Sequence, residues 1–322
     1  MPCCGPPRAK CTSGRRRSSA AEAPGIPRRC LALGPITCPP AASLDPGARG
    51  YAAEVTFPNH PGLRCDLAGP VLTLTLCNPA QLNAQTPSLW AALADTARAV
   101  PADVRVVVIR AEGRSFSAGL NRSLLAPGGM PGEPDMLAAA ASSAADMTAM
   151  IGPFQEGFSL WREVPAVVVA AVQGHAIGAG FQLALAADIR VVADDVKFAM
   201  KEIALGLVPD LGGTSTLVHT VGYGRALEIC ATGRTVGAAE AVSLGIASMA
   251  VPADELDSAT GDLVSALLAV PSAPLRALKP LMRQSLTATP DEQLVHERTA
   301  QGQLLHDLAR MAGLGGPGAS TS

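Results

Sequence analysis

A repeated order of buried strand, glycine-rich turn and helix is the feature that most constrains the fold of this chain. Val71–Leu76 alternates apolar and hydroxyl side chains, as a half-buried strand does, and Thr86 then begins a helix expected to reach about residue 100. Residues 104–109 and 166–172 are apolar runs rich in valine, which predict buried strands. A helix of small residues is expected to begin near Ala179. This alternation predicts an α/β architecture with layered sheets.

The two ends of the chain differ from this central pattern. Residues 1–50 are rich in Pro, Arg, Ala, Gly and Ser without apolar periodicity, which predicts a disordered extension. We expect the ordered core to span residues 51–250 and a helical region to span residues 251–322. After Gly212 the pattern is helical, and an amphipathic terminal helix needs a surface to cover, such as a neighbouring subunit. The predicted helices cover residues 223–231, 238–244, 253–268, 273–287 and 291–311.

Charge and cysteine content narrow the range of partners. A net charge of −2 gives no field that would attract nucleic acid or an anionic membrane, and no apolar run is long enough to span a bilayer. The eight cysteines include no CxxC pair and no histidine spaced to complete a metal site, so we expect reduced thiols and no bound metal. We favour a cytoplasmic protein. The arginines at 15–17 also resemble a transit peptide for the mitochondrial matrix, although a start codon assigned too early explains them as well.

Two glycine-rich turns have the composition of a ligand-binding or catalytic site. Residues 116–120 and residues 174–180 each follow a predicted strand and consist mostly of small side chains, so a ligand can approach their backbone closely. The second turn opens a helix whose first N–H groups lack partners, and two such donors can stabilise an oxygen that gains charge. Glycine-rich turns also bind nucleotides or allow tight packing. The dinucleotide, P-loop and nucleophile-elbow motifs are absent, which argues against those three classes.

Several ordered motifs together resemble the crotonase (enoyl-CoA hydratase/isomerase) family over roughly residues 55–315. The motifs that carry this resemblance are Asn78-Pro79, Leu82-Asn83-Ala84, Arg114-Ser115-Phe116-Ser117-Ala118-Gly119, Gly174-His175-Ala176-Ile177-Gly178-Ala179-Gly180, Ala187-Asp188-Ile189-Arg190, Phe198-Ala199-Met200-Lys201-Glu202 and Gly212-Gly213-Thr214. The resemblance implies a crotonase-like ββα spiral with a C-terminal helical region that forms trimers or dimers of trimers. It also implies an acyl-CoA thioester substrate, with coenzyme A as part of the substrate and no separate cofactor.

The resemblance further assigns roles to individual residues. It places an oxyanion hole at the backbone N–H groups of Leu120 and Ala179, and it makes Glu202 the main acid/base group. Hydratases of this family split water between two glutamates, but the first of these positions is Gln182, which can bind a water and cannot exchange a proton. Asp210 lies where dienoyl-CoA isomerases of the family carry an aspartate. The remaining substrate contacts that the resemblance implies are Leu82, Asn83 and Ala84 at the adenine end, with Ala118, Gly119 and Gly178 at the thioester.

Each acid/base candidate also has a structural interpretation. Asp210 could cap the helix that follows, and Glu202 could pair with Lys201 or Lys197. Gln182 could position water, contact the substrate or face the site as a neutral group. Asp188 is expected to make structural hydrogen bonds at the start of a strand.

The sequence therefore predicts an acyl-CoA enzyme that isomerises a double bond or hydrates a 2-enoyl group, with isomerisation favoured. A single base suffices for isomerisation while the oxyanion hole holds the enolate. The alternative is a non-catalytic crotonase-fold protein that binds CoA esters or acts as a scaffold. We expect the acyl pocket to be lined by residues 123–159, whose sequence indicates no chain length or pathway.

Overall fold

The computed structural model describes residues 56–314, and both the predicted extension at residues 1–50 and the last eight residues lie outside this range. The described chain contains nine strands and ten α-helices. The strands are β1 (Leu63–Ala68), β2 (Val71–Leu76), β3 (Val106–Ala111), β4 (Val167–Val172), β5 (His175–Ile177), β6 (Ile189–Ala193), β7 (Lys197–Ala199), β8 (Val236–Gly237) and β9 (Met249–Val251). The helices are α1 (Pro87–Arg98), α2 (Met136–Ser142), α3 (Ala144–Glu163), α4 (Ala179–Ala186), α5 (Gly213–Val221), α6 (Tyr223–Thr232), α7 (Ala238–Ser243), α8 (Leu256–Ala269), α9 (Ser272–Gln284) and α10 (Pro290–Met311).

The strands form a large and a small sheet. The large sheet has the order β1-β2-β3-β4-β6-β9 and is parallel except for the β1–β2 hairpin. The small sheet has the order β5-β7-β8, with β5 parallel and β8 antiparallel to β7. Strand β5 follows β4 after only two residues, so the chain passes directly from one sheet to the other. The predicted α/β architecture with layered sheets is confirmed.

Side chains of the central strands are buried on both faces of the large sheet. Val107 and Val168 belong to the apolar cluster that includes α1, α3 and α4, while Val106 and Val167 belong to a second cluster on the other face. Leu256 at the start of α8 covers the second face. This burial explains why the central strands are continuous runs of valine and alanine rather than alternating sequences.

The first predicted elements match the structure closely. The strand at Val71–Leu76 is confirmed, and so is the helix that follows, whose cap is the Thr86 side chain accepting a hydrogen bond from the Leu89 N–H at 3.4 Å. The strand predicted at residues 104–109 is observed two residues later because the N–H of Val104 closes a turn onto the Pro101 carbonyl.

The predicted helical region after Gly212 is interrupted by two short strands. Strand β8 pairs with β7, and β9 adds the sixth strand to the large sheet. The predicted helices at residues 223–231 and 238–244 agree with α6 and α7, and the two strands between and after them are elements that the sequence did not predict. None of the helices within residues 56–314 combines the length and apolarity that a membrane crossing requires.

One buried cation fixes α9 to the core. Lys279 is 8% exposed, and its Nζ donates to the carbonyls of Trp161 and Ala166 at 3.0 and 2.9 Å. The same Nζ lies 2.8 Å from Asp188 Oδ2, which also accepts the N–H of Val168 near the start of β4. The structural role predicted for Asp188 at a strand start is confirmed.

Candidate active site

The two glycine-rich turns predicted from the sequence lie side by side in the structure. The Ser117 N–H donates to the His175 carbonyl at 2.8 Å, and the Ile177 N–H donates back to the Ser117 carbonyl at 3.0 Å. The Gly178 N–H donates to the Ala199 carbonyl at the end of β7. Backbone hydrogen bonds thus fix the first turn to the second, and the second to the small sheet.

Close packing explains two of the glycines in these turns. Gly119 has φ +83°, and a Cβ there would lie 2.3 Å from the carbonyl oxygen of Ile177. Gly178 has φ +54°, and a Cβ there would lie 3.3 Å from Glu202 Oε1. Glycine permits both the positive φ and the close approach of a carboxylate to the backbone.

The first predicted oxyanion donor, the N–H of Leu120, is oriented through its own peptide group. The Gly119 carbonyl accepts the Gln85 N–H at 2.7 Å, and the Gln85 carbonyl accepts the Asn121 N–H at 2.8 Å. The C=O and N–H of a trans peptide point in opposite directions. Because the Gly119 carbonyl faces Gln85, the Leu120 N–H points away from it. Among residues 56–314 this N–H has no hydrogen-bond acceptor.

The second predicted donor, the N–H of Ala179, lies at the first position of α4. The Gly178 carbonyl on the same peptide accepts the Gln182 N–H at 2.9 Å within the helix, so the Ala179 N–H points out of the helix N-terminus. This N–H also lacks an acceptor in the described part of the chain. Both donors are therefore free to bind one external oxygen.

A cavity of about 320 Å³ contains both donors and all three acid/base candidates. Most of its wall is apolar, with side chains contributed by α1, α2, α3 and the segment after β7. The apolar lining residues are Trp90, Leu125, Met136, Leu137, Ala140, Met147, Ile151, Phe154, Ile177, Leu205, Leu207, Val208 and Leu211. Many of them fall within residues 123–159, in agreement with the predicted acyl pocket.

Glu202 follows β7 and places its carboxylate against the second turn. Its Oε1 accepts a hydrogen bond from Gln182 Nε2 at 2.8 Å, while Oε2 is buried and has no partner among the described residues. Burial, reinforced by the charge of Asp210, raises the pKa of the Glu202 carboxyl above its ordinary value. Neither Lys201 nor Lys197 forms the alternative ion pair with Glu202 within residues 56–314.

Gln182 is 1% exposed and has a fixed orientation. Its Oε1 accepts the backbone N–H groups of Leu211 and Gly213 at 2.8 and 3.2 Å, so the amide group must turn its Nε2 toward Glu202. The side chain therefore contacts the main carboxylate directly. Its oxygen is already occupied by two donors and is not available to accept a hydrogen bond from water.

Asp210 lines the same cavity as Glu202. Burial raises the pKa of the Asp210 carboxyl above its ordinary value. The predicted helix-capping alternative is wrong, because the cap of α5 is Gly212 and no side chain makes the capping hydrogen bond. The Asp210 carbonyl accepts a hydrogen bond from Gln155 Nε2 at 2.7 Å, which ties this loop to α3.

The Leu82-Asn83-Ala84 segment is held by backbone hydrogen bonds and by the side chain of its middle residue. Asn83 is 2% exposed, its Oδ1 accepts the Asn78 N–H, and its Nδ2 donates to the Glu112 and Ser115 carbonyls, each at 2.9 Å. This side chain therefore shapes the loop and is not exposed to a ligand.

Ala84 lies in an open groove of about 430 Å³. The groove and the cavity share Ala118, Leu120 and Arg122, so the two spaces meet at the first predicted oxyanion donor. The exposed Arg122 makes no ion pair within the described residues. A ligand could extend from the apolar cavity past Leu120 into this groove.

Sequence reasoning missed the roles of Gln85 and Trp90. Trp90 belongs to no motif of the sequence, yet its side chain forms part of the cavity wall. Gln85 is completely buried, and its side chain connects Trp90 Nε1 to Ser117 Oγ. A single glutamine before a helix cap carries no periodic or motif signal that would predict this position.

Comparison with known proteins gives a consistent assignment. The family model described as enoyl-CoA hydratase/isomerase matches residues 67–316. The chain is 30% identical over 230 residues to the 2,3-dehydroadipyl-CoA hydratase of Escherichia coli K12, covering 71% of this chain and 84% of that protein. It is 32% identical over 235 residues to the 1,2-epoxyphenylacetyl-CoA isomerase of the same organism, covering 72% and 85%.

A solved structure is similar to this chain in fold as well as in sequence. The crystal structure of a Thermobifida fusca YX protein, named as an enoyl-CoA hydratase and in complex with acetoacetyl-CoA, superposes with a TM-score of 0.71. The two chains are 46% identical, and the match covers 79% of this chain and 96% of that one. From the ordered motifs, the fold and these matches, we conclude that the chain belongs to the enoyl-CoA hydratase/isomerase family of the crotonase superfamily.

Proposed function

We propose that the chain isomerises the double bond of an enoyl-CoA thioester, using Glu202 as the base. The observation that carries this proposal is the buried, unpartnered Oε2 of Glu202 in the cavity that also contains the free N–H groups of Leu120 and Ala179. A base and two oxyanion donors in one apolar space are the groups that enolate formation requires.

The proposed reaction moves one proton. Glu202 Oε2 removes a proton from the carbon next to the thioester carbonyl, and the electron pair moves onto the carbonyl oxygen. The N–H groups of Leu120 and Ala179 stabilise the resulting enolate. When the carbonyl re-forms, the γ-carbon takes a proton from the carboxyl, so the double bond moves and no atom is gained or lost.

The surroundings of Gln182 favour isomerisation over hydration. Hydratases of this family exchange a proton with water through a glutamate at the Gln182 position, and an amide there cannot do so at neutral pH. The Gln182 oxygen is in addition bound to the Leu211 and Gly213 N–H groups. Gln182 therefore supports Glu202 rather than activating water.

Asp210 is proposed as a second proton-transfer group. Its carboxyl lines the same cavity, and burial raises its pKa, so it holds a proton more readily than an exposed aspartate. A proton removed by Glu202 could be replaced from Asp210 at a more distant carbon of a conjugated acyl chain. Dienoyl thioesters would make use of this arrangement.

The cavity and the groove suggest how the substrate binds. The apolar wall suits a hydrocarbon acyl chain, and the groove beyond Leu120 suits the coenzyme A part, with Arg122 available to its phosphates. The Thermobifida fusca relative crystallised with acetoacetyl-CoA, which supports a CoA ester as the ligand.

Absorbance of the conjugated thioester tests the reaction. We expect 3-enoyl-CoA to gain this absorbance in the presence of the enzyme, and Glu202→Gln to abolish the gain. Glu156→Gln, which changes an exposed glutamate on α3, is the matched control and should retain activity.

Two other outcomes would point elsewhere. Rapid loss of absorbance from trans-2-enoyl-CoA would show that the chain is a hydratase despite Gln182. Binding of a CoA ester without turnover of 2-enoyl, 3-enoyl or 3,5-dienoyl substrates would favour the non-catalytic binding protein or scaffold.

We also propose that the chain assembles as a homotrimer or a dimer of trimers. Large apolar side chains are exposed on α9 and α10, and a single chain in water would leave them uncovered. The exposed residues are Leu278 and Met282 on α9 and Leu294, Val295, Leu305, Leu308 and Met311 on α10.

A further inference from the structure

Gln85 contacts the peptide group that carries the first proposed oxyanion donor and the peptide group that follows it. Its N–H binds the Gly119 carbonyl at 2.7 Å, and its carbonyl binds the Asn121 N–H at 2.8 Å. These two residues flank Leu120. A shift of Gln85 would therefore turn the peptide plane that directs the Leu120 N–H.

The Gln85 side chain is itself fixed on both ends. Its Oε1 accepts the Trp90 Nε1–H at 2.8 Å, and its Nε2 donates to Ser117 Oγ at 3.1 Å. The side chain has no solvent exposure. Since Trp90 also forms part of the acyl cavity wall, Gln85 connects that wall to the donor peptide.

Ser117 completes the network, and its hydroxyl is fully used. Ser117 Oγ donates to the Asn83 carbonyl at 2.8 Å and accepts from Gln85 Nε2 and the Gly119 N–H, each at 3.1 Å. A hydroxyl has one donor and two acceptor sites, so no hydrogen-bonding capacity remains. The residue is completely buried and cannot exchange these partners for water.

Gly119 needs these contacts because glycine has the widest range of allowed backbone conformations. Its N–H donates to Ser117 Oγ and its carbonyl accepts the Gln85 N–H, so both of its backbone polar groups have a partner in this network. A buried polar network that is fully satisfied stabilises one arrangement strongly. Without it, Gly119 could rotate and turn the Leu120 N–H out of the cavity.

We propose that Gln85 and Ser117 are positioning residues that direct the Leu120 N–H toward the thioester oxygen. This inference rests on the proposed function, because it assumes that the Leu120 N–H binds that oxygen. Neither side chain touches the substrate in this arrangement. They act on the reaction through the orientation of one peptide group.

The carbonyl stretching frequency of a bound saturated acyl-CoA, labelled with carbon-13 at the thioester, tests the inference. Donors that polarise the carbonyl lower this frequency relative to the free ester. We expect Ser117→Ala to move the frequency back toward the free value and to lower kcat about tenfold with little change in KM, a smaller loss than removal of a whole donor causes. Ser117→Cys, which keeps a weak donor and acceptor, should recover part of both effects.

Ser115→Ala is the matched control. Ser115 is 1% exposed in the same loop, and its Oγ lies 3.2 Å from His175 Nδ1 rather than near the donor peptide. This variant should keep the wild-type carbonyl frequency. If Ser117→Ala does not fold, Gln85→Leu tests the same network by the same measurement.

The outcomes separate the inference from the proposed function. A wild-type frequency in a Ser117→Ala or Gln85→Leu protein that binds the ester would overturn the inference and leave the proposed function standing. A wild-type protein that binds the ester without lowering its carbonyl frequency would overturn the oxyanion hole, and the inference with it.

Discussion

As the proposed base, Glu202 combines two requirements that oppose each other. A base must ionise to take a proton, yet burial without a partner for Oε2 disfavours the ionised form. The Gln182 hydrogen bond to Oε1 stabilises the carboxylate only in part, and the pKa of Glu202 remains raised. The carboxylate is thereby kept reactive at a cost in stability.

This conflict predicts the pH dependence of both activity and stability. The pKa of Glu202 is raised, so kcat/KM should fall as the pH drops through that raised value. Between the ordinary and the raised pKa, the folded chain binds more protons than the unfolded chain. The stability due to this group is therefore complete at low pH and decreases as pH rises through the window.

Glu202→Gln should consequently raise the Tm at neutral pH while it abolishes turnover. The difference in Tm from wild type should disappear below the ordinary glutamate pKa, where the wild-type carboxyl is protonated in both states. Thermal unfolding of both proteins across pH values measures this. An equal Tm at all pH values would mean that burial does not penalise the Glu202 charge.

Gly119→Ala should damage both the fold and the site. The new Cβ would lie 2.3 Å from the Ile177 carbonyl at a φ of +83°, so the two turns must separate. We expect a loss of at least about 1 kcal/mol in the free energy of unfolding, with a large loss of kcat. Gly128→Ala, where φ is +85° and no atom lies within 4 Å, separates the φ penalty from the collision. Equal losses in the two variants would show that the contact with Ile177 is unimportant.

At the scale of elements, α9 depends on Lys279. Its Nζ reaches two carbonyls and Asp188, and replacement would leave these groups with fewer partners. We expect Lys279→Met to lower the free energy of unfolding by about 2 kcal/mol in urea titrations. Glu163→Gln, which removes the exposed partner of Arg283, should cost less than about 1 kcal/mol. A Lys279→Met protein as stable as wild type would show that α9 is held by other contacts.

Some elements could be predicted from sequence because their signals are local. The alternation in β2 and the Thr86 cap of α1 depend on neighbouring residues, and both appear where expected. Strands β8 and β9 have two and three residues and form only through pairing with distant strands, so no local period indicates them. The central strand β3 begins two residues later than predicted, because a turn closes at Val104.

The same distinction applies to the site. The family motifs led to Glu202, Leu120 and Ala179, and the structure brings these together in one cavity. The motifs did not reveal that the Gln182 oxygen binds two backbone donors, or that Gln85 connects a cavity wall to a turn. Those contacts join segments far apart in sequence and depend on how whole elements pack.

At the scale of the whole molecule, the exposed apolar side chains of α9 and α10 predict self-association. Sedimentation equilibrium should give three or six times the mass of one chain. Leu308→Lys, which charges a side chain that is 57% exposed on α10, should shift the protein toward smaller species. Glu297→Lys changes an exposed polar position on the same helix and should not. A monomeric wild-type protein would contradict the proposed assembly.

The environment of Gln182 also bears on how this chain could evolve toward a neighbouring activity. A glutamate at this position would accept hydrogen bonds from the Leu211 and Gly213 N–H groups beside the start of α5. These hydrogen bonds favour the ionised form of the glutamate. The new charge would then lie against Glu202 and raise the pKa of that group further. One mutation would supply the second carboxylate and lower the ionised fraction of the proposed base Glu202 at a given pH, so the path from one reaction to the other passes through a poorer catalyst unless a second change comes first.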